Sequence, residues 1–234
     1  MTDNALPASL ARARERLERA LIDADRPLDD ASLLAVSKTK PASMIRQASA
    51  LGQREFGENY LQEALDKQEE LADLDDLVWH FIGPLQSNKT RAVAENFAWL
   101  HTIDRLKIAK RLSEQRPTHL APLNVCLQVN ISREPSKSGV MPEDVEALAK
   151  EVAALPGLKL RGLMAIPAPA ESLSAQRQPL SEMRELLSAL QKALPDAPLD
   201  TLSMGMSDDL EAAVLEGATL VRLGTAIFGA RDTT

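Results

Sequence analysis

From residue 32 onward, short apolar runs rich in strand-forming residues alternate with longer stretches of helical periodicity, and the alternation recurs about eight times. Strands joined by helices of this length pair in parallel, because each helix carries the chain back across the sheet. The strand runs are Ser32–Ser37, Arg54–Phe56, Val78–Ile82, Trp99–Thr102, Asn124–Asn130, Lys159–Met164, Asp200–Ser203 and Leu220–Leu223. Helical patterns lie between them over Ala42–Leu51, Glu58–Leu71, Lys89–Asn96, Arg105–Gln115, Pro142–Leu155, Leu180–Leu194 and Asp208–Glu216. This many units in 234 residues predict an α/β chain folded as a single (β/α)8 barrel of the TIM type. A doubly wound open sheet is the alternative, since local periodicity does not report closure.

Ahead of the first strand, Leu6, Leu10, Ala13, Leu17 and Leu21 recur at helical spacing, with Arg12, Arg14, Arg16 and Arg19 on the other side. Residues 1–30 are therefore expected to form a helix packed on the barrel, and residues 31–234 the barrel itself, in one structural domain. No internal repeat interrupts the series, and Pro167–Pro179 reads as a long loop.

The formal net charge of −7 argues against broad nucleic-acid binding. No apolar run approaches the roughly 20 residues that a membrane-spanning helix requires. The start of the chain lacks a basic-then-apolar leader pattern, and the single Cys126 has no internal disulfide partner. These features predict a cytoplasmic protein without membrane or nucleic-acid partners.

Barrel chemistry sits at the carboxyl ends of the strands. Lys38 follows an apolar first strand there and is a candidate Schiff-base former; Lys40, read as sharing its strand face, is expected to supply the cation that favours the unprotonated amine. Glu58, Asn59 and Tyr60 follow the second strand in this reading. Ser207 and the pair Gly224-Thr225 follow the seventh and eighth strands, where barrels often hold a phosphate on glycine-opened amides and hydroxyls. Ser207 also reads as a simple helix N-cap. Arg222 lies on an apolar strand two residues before Gly224 and needs an acceptor, either a ring nitrogen or a barrel carboxylate in an ion pair. Together, the lysine and the Arg-x-Gly-Thr turn suggest pyridoxal 5'-phosphate (PLP).

The segments Ala35-Val36-Ser37-Lys38-Thr39-Lys40-Pro41, Phe56-Gly57-Glu58-Asn59-Tyr60 and Trp79-His80-Phe81-Ile82-Gly83-Pro84-Leu85-Gln86-Ser87-Asn88-Lys89 resemble the YggS/PROSC family of PLP homeostasis proteins. So do Arg161-Gly162-Leu163-Met164, Leu202-Ser203-Met204-Gly205-Met206-Ser207-Asp208 and Arg222-Leu223-Gly224-Thr225-Ala226-Ile227-Phe228-Gly229, so that the resemblance runs from Leu33 to Arg231. It implies a monomeric barrel like the N-terminal domain of alanine racemase, with PLP as an internal aldimine on Lys38. It further implies that Ser207, Gly224 and Thr225 hold the phosphate, that Arg222 faces the ring nitrogen, and that Asn59 and Ser203 line the pocket. The implied role is PLP carriage or regulation, with apo PLP-dependent enzymes as recipients and no established turnover.

Two other functions fit the same residues. An amino-acid racemase needs an acid/base on each side of the substrate carbon; the chain has one tyrosine, Tyr60, and beyond Lys38 nothing obvious supplies the second base, and racemases of this relationship also carry a further domain. A PLP-responsive protein-interaction regulator would use the open barrel mouth. Lys137, in a loop at the mouth, is read chiefly as a surface lysine, with transient acceptance of PLP as the functional hypothesis. Gly83–Thr90 has Walker-loop spacing, but Asn88 stands in place of its second glycine and Pro84 removes an amide. His80, His101 and His119 lack metal-ligand spacing, and Cys126 reads as a buried inert thiol.

Overall fold

A computed structural model describes residues 5–230; Arg231, where the resemblance ends, lies outside the described residues. Eight parallel strands close into a barrel in chain order: β1 (Ser32–Val36), β2 (Glu55–Glu58), β3 (Val78–Phe81), β4 (Trp99–Ile103), β5 (Leu123–Gln128), β6 (Leu158–Met164), β7 (Thr201–Ser203) and β8 (Leu220–Leu223). Closure comes from β1 pairing β8, with Ser32 opposite Leu220 and Ala35 opposite Leu223. The open doubly wound alternative is thereby excluded.

The outer ring consists of α2 (Ala42–Ala50), α3 (Leu61–Glu70), α4 (Thr90–Asn96), α5 (Leu106–Gln115), α6 (Val145–Ala153), α7 (Leu173–Ala193) and α8 (Leu210–Leu215), followed by a short α9 (Thr225–Phe228). A leading helix, α1 (Leu6–Asp23), packs against α2, α8 and α9 through a buried stripe that includes Leu6, Leu10, Leu17 and Leu21. Most of the apolar core lies between the strands and this ring. Leu34, Val36 and Ile82 form a separate small cluster. Glycine is required where β6 meets β7, since a Cβ on Gly162 would lie 1.7 Å from the Thr201 carbonyl oxygen. Among the described residues no helix is long and apolar enough to cross a membrane.

Three elements differ from the sequence reading. β2 extends to Glu58, so that residue closes the strand and α3 starts only at Leu61. The segment read as a loop over Pro167–Pro179 instead contains the first turns of α7, whose Ser172 cap accepts from the Ala175 amide at 3.1 Å. Pro179 is therefore inside the helix. It removes the amide that Ala175 would accept from, but Ala175 is exposed and its carbonyl can turn to water.

Candidate functional site

The ladder of β1 ends at Val36, and the chain turns sharply over Lys38. The Ser37 amide donates to the Gly57 carbonyl at 3.0 Å, the Lys40 amide donates back to the Ser37 carbonyl at 3.1 Å, and Thr39 takes φ +65°. This turn corrects one part of the expectation for Lys40: it does not share a strand face with Lys38, and its Nζ donates to the Ala230 carbonyl at 2.6 Å, although it lines the same pocket. Lys38 is half-buried and has no hydrogen-bond or ion-pair partner among the described residues. It lines a small pocket with Val36, Gly224, Thr225 and Phe228.

Beneath the turn lies a brace that the sequence reading missed. Lys67, on the buried side of α3 with Ala64, places Nζ 2.8 Å from the Ser37 carbonyl oxygen, 2.5 Å from Glu58 Oε1 and 2.9 Å from Glu63 Oε1. Glu63 in turn accepts from the Thr39 amide at 2.6 Å. Both residues flanking Lys38 are thus tied to one buried ammonium. Burial pushes the Glu58 carboxyl up to about 7, against the opposing pull of Lys67. The available signal was the position of Lys67, three residues after Ala64 on the inward stripe of the helix.

Of the expected phosphate residues, Gly224 and Thr225 line the Lys38 pocket, and Ser207 does not. A Cβ on Gly224 would approach the Val36 carbonyl to 3.2 Å, which accounts for glycine at this crossing of β1 and β8. Ser207 is exposed in the turn before α8, three residues ahead of its first helical residue, so it is not an N-cap. Its carbonyl accepts from Arg16 Nη2 at 2.6 Å, and Arg16 also pairs with Glu211. Gly205, at φ +101°, has no room for a side chain beside the Ala213 methyl.

A second cavity of about 400 Å³ opens between the loops after β6 and β7, lined by Ala165, Pro167, Gly205, Met206 and Asp209, with Arg222 contributing to its wall. The buried Arg222 guanidinium donates through Nη1 to Ser203 Oγ at 2.7 Å and the Ser203 carbonyl at 3.2 Å, and through Nη2 to the Ala165 carbonyl at 3.0 Å. The carboxylate ion pair weighed from sequence is absent among the described residues. All three acceptors are neutral, and burial lowers the guanidinium to about 10. Ser203 is thus beside Arg222 as expected. Asn59 is half-buried, and its Oδ1 has no hydrogen-bond partner among the described residues.

Lys137 is exposed in the loop after β5. In the Walker-like segment Thr90 is buried, its hydroxyl engaged by the Ser87 carbonyl and Gln115 Oε1. Burial pushes the Cys126 thiol up to about 12. His80 and His101 are buried and hydrogen-bonded to one another, and the described residues contain no cluster of metal-ligating side chains.

The family model of the alanine racemase N-terminal domain matches residues 9–232. The pyridoxal phosphate homeostasis protein of Pseudomonas aeruginosa is 62% identical over 224 residues, covering 96% of this chain and 95% of that protein. The protein of the same name from Escherichia coli strain K12 is 53% identical over 231 residues, 98% of each chain. PipY of Synechococcus elongatus PCC7942, solved with PLP bound, superposes with a TM-score of 0.84 at 39% identity, over 96% of this chain and 100% of that one. An alanine racemase from Corynebacterium glutamicum has the same fold, with a TM-score of 0.69 at 20% identity over 97% of this chain and 62% of that one.

Proposed function

The chain belongs to the alanine racemase N-terminal domain family, and from that premise we propose that it is a PLP-binding protein of intracellular PLP homeostasis, a carrier or regulator rather than a dedicated catalyst. The observation that carries the reading is Lys38: a half-buried, unpartnered amine in one pocket with Gly224 and Thr225. When bound, PLP supplies an aldehyde that condenses with a lysine amine and a phosphate that seeks backbone amides and hydroxyls.

The residues present fit that group. Lys38 would meet the aldehyde, and Gly224 and Thr225, with Ser207 on the neighbouring loop, would hold the phosphate. Arg222 keeps its Nε–H and one Nη2–H without an acceptor among the described residues and would offer them to the ring nitrogen. Asn59 brings an unpartnered Oδ1, and Ser203 backs Arg222. A guanidinium, which donates and does not surrender its proton, leaves a pyridine nitrogen unprotonated and a weak electron sink. That favours holding and handing on the cofactor over turnover. The racemase reading is weaker for the same reason, and Tyr60, the chain's one tyrosine, is 48% exposed. We assign the protein to the cytoplasm as a monomer whose partners are apo PLP-dependent enzymes, with no nucleic acid or membrane.

The test is the visible absorption spectrum of the PLP-treated protein beside Lys38→Ala, each reduced with borohydride and digested to map the label. A coloured parent labelled on Lys38, with that label lost in the variant, supports the reading. A parent that stays colourless after added PLP overturns it.

A further inference from the structure

Five polar side chains from five strands join inside the barrel. Glu55 Oε1 on β2 is 3.0 Å from His80 Nε2 on β3, and His80 Nδ1 is 2.9 Å from His101 Nε2 on β4. His101 Nδ1 is 2.8 Å from Ser203 Oγ on β7, which accepts from Arg222 Nη1 on β8 at 2.7 Å. His80, His101 and Ser203 are wholly buried, whereas the Glu55 side chain keeps 31% of its surface at the start of its strand, the opposite end of the barrel from the mouth.

Donor chemistry fixes every proton in this line. The His80 hydrogen bond holds the Glu55 carboxyl below the ordinary range, so it is an ionised acceptor, and His80 Nε2 must carry the hydrogen. Burial holds both histidines below their ordinary value and hence neutral, so His80 Nδ1 accepts and His101 Nε2 donates to it. His101 Nδ1 is then an acceptor, and the Ser203 hydroxyl hydrogen is spent on it. Arg222, which only donates, completes the series. Each hydrogen points from Arg222 toward Glu55, and a reversal at either end would leave two donors or two acceptors facing each other.

The ring of His80 is held in plane as well: it stacks on Trp99 at 5.2 Å between centroids and 11° between planes, and Arg161 lies 4.7 Å over the other ring system of that pair. Both hydrogens of Arg222 Nη1 are consumed by Ser203 and one of Nη2 by Ala165, so only the Nε–H and one Nη2–H remain for a ligand. Two of the three acceptors are the Ser203 and Ala165 carbonyls, and the third, Ser203 Oγ, is the one through which the line from Glu55 reaches the guanidinium.

We propose that Glu55, His80 and His101 are positioning residues which, through Ser203, hold Arg222 with one fixed edge turned toward the ring nitrogen of PLP. This rests on the PLP reading above and deepens it: the line links a partly exposed carboxylate at one end of the barrel to a directed donor at the other. None of the three touches the cofactor.

The experiment has two arms, so that the two readings fail separately. In the ligand-free protein, long-range 15N–1H correlation spectra read the tautomers of His80 and His101. Both are expected as neutral rings with the hydrogen on Nε2, and Glu55→Ala, a change at a partly exposed residue, abolishes that uniform pattern. An imidazolium, or a hydrogen on Nδ1 of either ring in the parent, overturns the relay whatever the protein binds. In the second arm, protein loaded with PLP labelled with 15N in the ring is compared with His101→Leu and His101→Gln, the latter keeping one donor and one acceptor. The variants still load PLP on Lys38. The ring-nitrogen resonance of His101→Leu and of Glu55→Ala moves away from the parent, toward the value of a nitrogen without a hydrogen bond, and His101→Gln recovers part of the shift. A resonance unchanged in both His101→Leu and Glu55→Ala overturns the positioning role. A parent that does not load PLP, with its tautomers as stated, removes the cofactor reading and this role with it.

Discussion

Replacing Lys67 with methionine, a side chain of similar length without the charge, asks how firmly the turn carrying Lys38 is held. Lys67 is 5% exposed and Glu58 is fully buried, with its Oε2 lacking a hydrogen-bond partner among the described residues. Removing one member of such a pair strands the other charge, at a cost of about 3–5 kcal/mol. Glu58 has an escape, because it can take up a proton. Burial has pushed it up to about 7 even beside Lys67, and without the ammonium it rises further. At neutral pH the variant therefore holds a neutral acid, and what remains is the loss of hydrogen bonds to Ser37 and Glu63, about 1–2 kcal/mol.

The pH dependence follows from the direction of that shift. An ordinary glutamate, near 4.5, has released its proton in the unfolded chain over the window between 4.5 and about 7 in which native Glu58 keeps it. The native state binds the extra proton there, so stability contributed by this group is lost as pH rises through the window. Lys67→Met extends the window upward, and each further pH unit costs about 1.4 kcal/mol until the folded carboxyl ionises. Urea unfolding followed by circular dichroism at about pH 6 and about pH 8.5 should show the variant destabilised at both, and by about 1–3 kcal/mol more at the higher value. Adding Glu58→Gln should erase the difference between the two conditions. Equal destabilisation at both pH values, or a loss under about 1 kcal/mol at the higher one, would refute the buried pair as the support of the turn.

Three further outcomes are expected. Gly162→Ala forces a methyl to within 1.7 Å of the Thr201 carbonyl oxygen, so β6 and β7 must part; urea unfolding should record a loss of about 3 kcal/mol or more, and a loss under about 1 kcal/mol would show that the strands separate freely. Cys126, buried with its thiol pushed up to about 12, should not react with Ellman's reagent in the native protein and should react fully in urea; prompt native labelling would contradict its placement. Pro179→Ala restores an amide for the Ala175 carbonyl in α7 and should raise stability by about 1–3 kcal/mol, whereas a lowered thermal midpoint would mean the ring packs where the helix needs it.

The barrel was legible because short strand runs, largely apolar, alternate with longer helical patterns about eight times, the pattern of parallel strands covered by helices outside. Lys38, Arg222 and the Gly224-Thr225 turn were legible for the converse reason: they are polar or glycine residues at the ends of such runs. What failed was extrapolation past the last ladder hydrogen bond. Lys40 was assigned a face by strand alternation, but the strand ends at Val36, and the turn that follows puts Thr39 at positive φ without the glycine that would announce it. Arg222 needed an acceptor, and the sequence offered a carboxylate; the acceptors came instead from the ends of β6 and β7, and Ser203 and Ala165, 19 and 57 residues distant, carry no local mark. Pro179 read as a loop because propensity was weighed without the packing that carries α7 through it: Leu180, Met183, Leu187 and Leu190 are buried just beyond.

Strand β2 serves both the turn that carries Lys38 and the line that reaches Arg222. Glu55 and Glu58 stand three residues apart, and alternation sends them to opposite faces. Glu55 points inward to His80 and begins the line that ends on Arg222; Glu58 points outward to Lys67 of α3 and supports the turn that carries Lys38. The two sets share no residue. A change in the line should therefore alter the donor at the ring nitrogen while leaving the lysine in place, and a change in the brace should do the reverse. The interior of a (β/α)8 barrel is ordinarily filled by layers of branched apolar side chains. Here part of that interior is His80, His101, Ser203 and Arg222, whose burial is eased because the ring nitrogens, the hydroxyl and three of the five guanidinium hydrogens meet partners of the complementary kind. The bonds that ease the burial of this polar interior are thus among the bonds that hold the guanidinium.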